Sequence, residues 1–290
     1  MKKLLLVLLL WLGSLNIYSD YATDQPTDLI NINGVSIAYT TAGEEENPAV
    51  LMIMGLMASH KVWGDEIVNG LVDQGYRVIL FDNRDTGESE NLDRLGKPNL
   101  YWKFAMSYLG VDFSSPYTLT DMALDGIGVL DHLEIDEAHI VGASMGGMIA
   151  QTIAYEFPER TKSLVSIMST TGAPHLSQMS ERNEQNFNNA GDWDTEAAHS
   201  YGFYPEAMPR QITAIMKAGD RSEQISSIKV STLVQHGIND TLLPPDHGEH
   251  TAQLISNSKL KIYENMGHNL PPEVLPLVID DMVKFFKSQD

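Results

Sequence analysis

Ser144 stands between small residues in Gly142-Ala143-Ser144-Met145-Gly146, directly after the apolar run His139-Ile140-Val141 and before Gly147 to Ala154, a stretch of good helix formers. A serine can attack a carbonyl when its hydroxyl projects from a sharp strand-to-helix turn. Small residues two positions before and after let the strand and helix approach closely there. The turn also aims a helix N-terminus at the hydroxyl and leaves the Met145 amide free to hold an oxyanion. The predicted chemistry is nucleophilic acyl transfer through Ser144. Gly-x-Ser-x-Gly alone is a frequent pattern; the strand before it, the helix after it and the additional Gly147 give it weight.

A serine hydroxyl needs a base, and the base needs an orienting group. For a serine on such a turn the expected chain order is serine, carboxylate, histidine. Of nine histidines, only His236, His247, His250 and His268 lie beyond both Ser144 and the irregular stretch after the following strand. His268 sits in Glu264-Asn265-Met266-Gly267-His268-Asn269, after the last apolar run and before Pro271-Pro272, and is the predicted base. His247 and His250 share Asp246-His247-Gly248-Glu249-His250, which reads as a solvated helix face; a zinc pair there lacks companion ligands. Asp240 follows the run Thr232 to Gln235 across a short turn and is the predicted orienter of His268. The competing reading is a turn aspartate capping the helix after Pro244-Pro245. One strand earlier, Ser169-Thr170-Thr171-Gly172 offers no carboxylate. The second oxyanion donor is expected from Met54-Gly55-Leu56-Met57, with Leu56 as the candidate amide. Asp82 and Arg84, in the polar segment from Asp82 to Ser89, are expected to brace neighbouring loops.

These residues need strands to carry them. Ala49 to Met54, Val78 to Phe81, Ala138 to Val141, Leu164 to Met168, Thr232 to Gln235 and Leu260 to Tyr263 are short apolar runs followed by Gly, Asp, Asn or Ser, and read as buried parallel strands. Amphipathic stretches of helical length lie between them, for example Thr120 to Leu133 behind a Thr120 cap. Strand, helix, strand is the doubly wound signature, and in such sheets ligands bind at the carboxyl ends of the strands. Leu29 to Ile32 and Val35 to Tyr39 flank Asn33-Gly34, which predicts a leading hairpin. From about Gly172 to Ser227 no strand is evident, while Trp193, Tyr201, Phe203, Tyr204, Pro205 and Pro209 are present. An excursion this long inside a compact domain is expected to be functional, and it reads as an inserted helical cap. The predicted division is therefore a core of residues 20–171 and 228–290, with a cap of 172–227.

At 290 residues the chain can bury a sizeable core, and with no cysteine it has neither disulfides nor thiol chemistry. Its 39 Asp plus Glu against 19 Lys plus Arg give a net charge of -20, which argues against nucleic acid and anionic membrane surfaces as partners. Lys2 and Lys3 precede an apolar run from Leu4 to Leu12, then Gly13, Ser14 and a polar stretch through Ser19. That run is short for a bilayer span and reads as a signal peptide of residues 1–19, implying a periplasmic or secreted protein without a stable membrane anchor after processing; an uncleaved membrane anchor is the lesser alternative.

From about Leu29 to Phe286 the chain resembles the α/β-hydrolase superfamily: a mostly parallel, doubly wound sheet with an inserted helical cap. The Met54-Gly55 loop, the Asp82 to Ser89 segment and Gly267-His268 make it similar to aclacinomycin methylesterase-like esterases; many relatives carry histidine where Met54 stands. The resemblance implies hydrolysis of a small-molecule ester without metal or organic cofactor. It implies Ser144, Asp240 and His268 as the catalytic triad, with Met145 and Leu56 at the oxyanion hole. A serine at the nucleophile position argues against haloalkane dehalogenase and epoxide hydrolase chemistry, which use a carboxylate there. The fold also hosts lactonases, thioesterases, peptidases and carbon-carbon hydrolases, and a non-catalytic binding protein is the reading from another class.

Overall fold

The computed structural model describes residues 27–188 and 194–290; the expected leader at 1–19, and Trp193 of the expected cap, lie outside them. The described residues open with the hairpin β1 (Asp28–Ile32) and β2 (Val35–Ala42). Asn33 and Gly34 between them have φ of 51° and 82°, the two successive positive values that a tight primed turn requires. The strands β3 (Ala49–Ile53), β4 (Arg77–Phe81), β5 (Ala138–Ala143), β6 (Thr161–Ile167), β7 (Thr232–Gly237) and β8 (Ser258–Tyr263) complete an eight-stranded sheet ordered β1-β2-β4-β3-β5-β6-β7-β8. The β1–β2 and β2–β4 pairings are antiparallel and all others parallel.

Parallel neighbours need crossovers, and helices supply them: α1 (Asp65–Val72), α2 (Leu100–Tyr108), α3 (Leu119–His132) and α4 (Met145–Glu156). Between β6 and β7 come α5 (Glu181–Asn188), α6 (Thr195–Ser200), α7 (Met208–Ala218) and α8 (Ser222–Ser226); α9 (Asp246–Leu254) and α10 (Leu275–Lys287) follow. Alternation along β3 sends Leu51 and Ile53 into one core, with Met122, Leu130, Ile149 and Ile153 of α3 and α4. Val50 and Met52 enter the other, with Ile67, Leu71, Val278 and Phe286 of α1 and α10. Every residue of β3, β4, β5 and β7 is buried, as expected of strands covered on both faces.

Two expectations change. The cap of α3 is Thr118, not Thr120: Thr118 Oγ1 accepts from Asp121 N at 3.1 Å, and Asp121 Oδ2 accepts from Thr118 N at 2.7 Å. A Thr120 cap would put Ala123 three residues on, with no side chain to reciprocate; Thr120 instead bonds Glu156 at 2.9 Å. β8 is an edge strand rather than a buried one, with Leu260 and Ile262 partly exposed beside Lys259 and Lys261. Lysines on an edge oppose pairing with another chain.

Candidate active site

The loops at the carboxyl ends of β3, β5 and β7 and the segment after β8 converge on Ser144. Its backbone sits at φ 56° and ψ -120°, strain of roughly 1–3 kcal/mol for a non-glycine residue, and its N–H donates to Ile167 O at 2.9 Å. Packing enforces this turn. A Cβ on Gly142 would lie 2.1 Å from Gly146 O, and one on Gly146 would lie 2.0 Å from Ile53 O. Only glycine lets β5, α4 and β3 approach this closely.

The three residues expected to act together do meet. His268 Nδ1–H donates to Asp240 Oδ2 at 2.7 Å, which leaves Nε2 as the acceptor for the Ser144 hydroxyl at 2.8 Å. Burial falls along the relay: Asp240 and His268 are buried and Ser144 is partly exposed. Asp240 is also more than a turn aspartate. Its Oδ1 accepts the Leu242 and Leu243 amides at 2.9 Å each, while Oδ2 serves His268. Burial pushes its carboxyl up, but hydrogen bonds from His236, His268 and the Leu243 amide outweigh that and hold it well below the usual carboxylate range.

His236, to which sequence position assigns no role, packs against this carboxylate. Its Nε2–H donates to Leu243 O at 2.8 Å and lies 3.4 Å from Asp240 Oδ2. Its Nδ1 is buried without a partner among the described residues. The four-residue spacing from Asp240 was the signal available for it.

The expected oxyanion loop lies beside the serine. A Cβ on Gly55 would sit 3.0 Å from Ser144 Cβ and 3.5 Å from Oγ. The next residue is Leu56. Neither the Leu56 nor the Met145 amide donates a hydrogen bond among the described residues, so both remain available to a ligand. The loop is held at both ends. Asn83 Nδ2 donates to Met54 O at 2.8 Å; Met57 N donates to Gln211 Oε1 at 2.7 Å, and Tyr204 N to Met57 O at 2.7 Å. Gln211, fully buried at the core-facing side of α7, was not anticipated; nothing in its local sequence distinguishes it.

The bracing expected after β4 is present. Asp82 Oδ1 accepts from His60 N and Nδ1 at 2.8 and 2.7 Å, and Arg84 clamps Asp125 through two bonds of 2.7 Å. Asp85 receives Arg210 Nε and Nη2 at 2.9 Å each, together with the Tyr117 hydroxyl. The solvated-face reading fails for His247. It is buried, its Nε2–H donates to Ser177 O at 2.9 Å, and its Nδ1 accepts from Thr170 Oγ1 at 2.6 Å. Those partners tie α9 to the segment leaving β6.

Residues 48–201 match the alpha/beta hydrolase fold family. The chain belongs to that family and is a hydrolase. It is similar to the rhodomycin D methylesterase DnrP of Streptomyces peucetius, 27% identical over 295 residues that cover 85% of this chain and 93% of that enzyme. Its fold is similar to that of a hydrolase from Pseudomonas aeruginosa PA01, with a TM-score of 0.69, 22% identity and coverage of 91% and 99% of the two chains. It is similar in fold also to the enol-lactonase from Burkholderia xenovorans LB400, with a TM-score of 0.68, 19% identity and coverage of 90% and 100%.

Proposed function

We propose that this hydrolase cleaves a carboxylic ester of a small molecule through an acyl-enzyme on Ser144. The observation that carries this reading is the unbroken relay from Asp240 Oδ2 to His268 at 2.7 Å and from His268 Nε2 to Ser144 Oγ at 2.8 Å. Similarity to a methylesterase supports an ester as the substrate class.

In the first half-reaction Ser144 Oγ bonds to the ester carbonyl carbon while its proton passes to His268 Nε2. The carbonyl oxygen becomes an oxyanion, held by the amides of Met145 and Leu56. Collapse breaks the bond to the alcohol oxygen, which leaves with the proton from Nε2. Water then gives a proton to Nε2 as its oxygen attacks the acyl carbon, and the acid departs as Ser144 regains its hydrogen. Asp240 stays ionised, keeps the imidazole in one tautomer and stabilises its cationic form.

Two further assignments belong to the same proposal. Residues 172–227 act as a cap that shapes the substrate pocket, and residues 1–19 export the enzyme to the periplasm or beyond. N-terminal sequencing of exported protein tests the second; an intact Met1 overturns cleavage.

The decisive experiment is hydrolysis of p-nitrophenyl esters of graded chain length, with fluorophosphonate labelling, on the protein and its Ser144→Ala variant. Turnover and labelling should both vanish in the variant, a loss on the order of 10⁴-fold or more in kcat. Full activity without the hydroxyl would overturn the assignment.

A further inference from the structure

Helix α2 faces the wrong way for a helix on a globular surface. Leu100, Lys103 and Met106, three residues apart, are half-buried against the body of the protein. The opposite arc carries Tyr101, Trp102, Phe104, Tyr108 and Leu109, all exposed, with Tyr108 at 91%, Tyr101 at 86% and Trp102 at 69%. Among its inward residues is a lysine: Lys103 Nζ donates to Ser114 O at 2.8 Å and lies 5.4 Å from the centre of the Phe113 ring. A helix whose aromatic arc meets water while a cation is turned inward has an apolar face that the rest of the fold does not cover.

Charge decides what could cover it. The chain carries -20 overall, but the segment from Arg94 to Val111 contains Arg94, Lys97 and Lys103 and no carboxylate. The acids bordering it are each paired: Glu90 with Arg94 at 2.8 Å, Asp93 with Arg210 at 3.0 Å, and Asp112 with Lys217. Lys97, exposed, has no carboxylate partner among the described residues; Lys103 has none either, but its ammonium is already held by Ser114 O. Screening confines the influence of distant charges to roughly 8 Å at physiological ionic strength, so the patch presents itself as weakly basic despite the acidic whole. A second copy docked through the same face would set these bases against their own counterparts, at the meeting of two chains of net charge -20.

Trp and Tyr together with Lys are the residue types that settle at the boundary between headgroups and acyl chains, the rings among the lipids and the ammonium groups at the phosphates. No helix among the described residues is long and apolar enough to cross a membrane, and the contact argued for α2 is a peripheral one. We propose that the outer face of α2, centred on Tyr101, Trp102, Phe104 and Tyr108, docks this protein on the surface of a lipid bilayer. The local charge thus reverses the expectation drawn from the chain-wide one.

The test compares the full chain with a Trp102→Ser, Tyr108→Ser double variant. Both are mixed with phosphatidylcholine vesicles containing a minority of phosphatidylglycerol, and binding is read by co-sedimentation and by quenching of tryptophan fluorescence with brominated lipid. The full chain should pellet with vesicles, and the variant's affinity should fall at least about tenfold with loss of the Trp102 quenching. Its melting temperature and its turnover of a soluble p-nitrophenyl ester should not change. Equal binding by both chains would place the contact elsewhere, for example at the apolar run of residues 4–12, and would overturn the proposal. Absence of binding, or a solution dimer that the substitutions dissociate, would overturn it as well. None of these outcomes depends on which ester the enzyme cleaves.

Discussion

Two polar loops leave the carboxyl ends of strands in this sheet, one after β4 and one after β7, and both carry buried carboxylates. After β4, Arg84 grips Asp125 and Arg210 grips Asp85, each through two short bonds. After β7, Asp240 has no arginine partner among the described residues; it receives two amides and the His268 imidazole, with His236 Nε2 3.4 Å away. A carboxylate clamped by a guanidinium has its charge committed to the fold. One held by amides and imidazole is left, under the proposed mechanism, to stabilise a proton arriving on His268. Similar burial therefore braces one loop and, in the proposed mechanism, serves chemistry in the other.

Exchanging one oxygen at Asp240 tests that distinction most severely. Asp240→Asn keeps Oδ1 for the Leu242 and Leu243 amides, so folding should change little, but an amide facing Nδ1 favours the wrong imidazole tautomer. We expect kcat to fall on the order of 10⁴-fold with a nearly unchanged melting temperature, measured on the same preparation. The converse is expected after β4. Arg84→Met strands the Asp125 carboxylate in the interior and should cost about 3–5 kcal/mol in urea unfolding, with near-normal kcat in the folded fraction. A large kcat loss there at intact stability would erase the contrast.

His139 supplies a smaller, pH-dependent effect away from both loops. It stacks on Phe286 at 4.2 Å and lies 2.7 Å from Ser163 Oγ. Burial pushes its imidazole down to about 4, with Lys162 acting in the same direction and Asp290 opposing. The unfolded chain takes up that proton near pH 6.5, so this site leaves stability untouched above 6.5 and lowers it as pH falls toward 4. The loss is on the order of 3 kcal/mol at most. The stability gap between wild type and His139→Phe should therefore narrow from pH 7 to pH 4.5; a constant gap would refute the assignment. The smallest effect is expected at Gln211→Leu, which leaves the Met57 amide unpaired and loosens the oxyanion loop. A roughly tenfold lower kcat with a smaller change in KM would fit; an unchanged kcat would show that Asn83 and the Tyr204 amide hold the loop without Gln211.

Much of this site was legible beforehand because its constraints are local. Ser144 lies within a five-residue pattern, and Asp240 and His268 each follow a short apolar run at a strand end. Errors arose where a local pattern admits more than one surrounding. Leu260 to Tyr263 was read as a buried run although Lys261 interrupts it, and among the described residues no strand follows on its far side. His247 sits on a helix that reads as solvated, and the segment leaving β6 covers it. At Thr118 the deciding partner was Asp121, a reciprocal contact that favoured it over the neighbouring Thr120.

The sequence by itself determined the primed hairpin at Asn33-Gly34, the order of strands and helices, and the glycines that allow a strained serine between β5 and α4. Each follows from steric or periodic rules spanning a few residues. Only the tertiary structure decided that Gln211 reaches Met57 from 154 positions away, that His236 shares the carboxylate of Asp240, and that α2 turns its aromatic arc outward. Those outcomes depend on which surfaces remain to be covered after the sheet and its helices have packed.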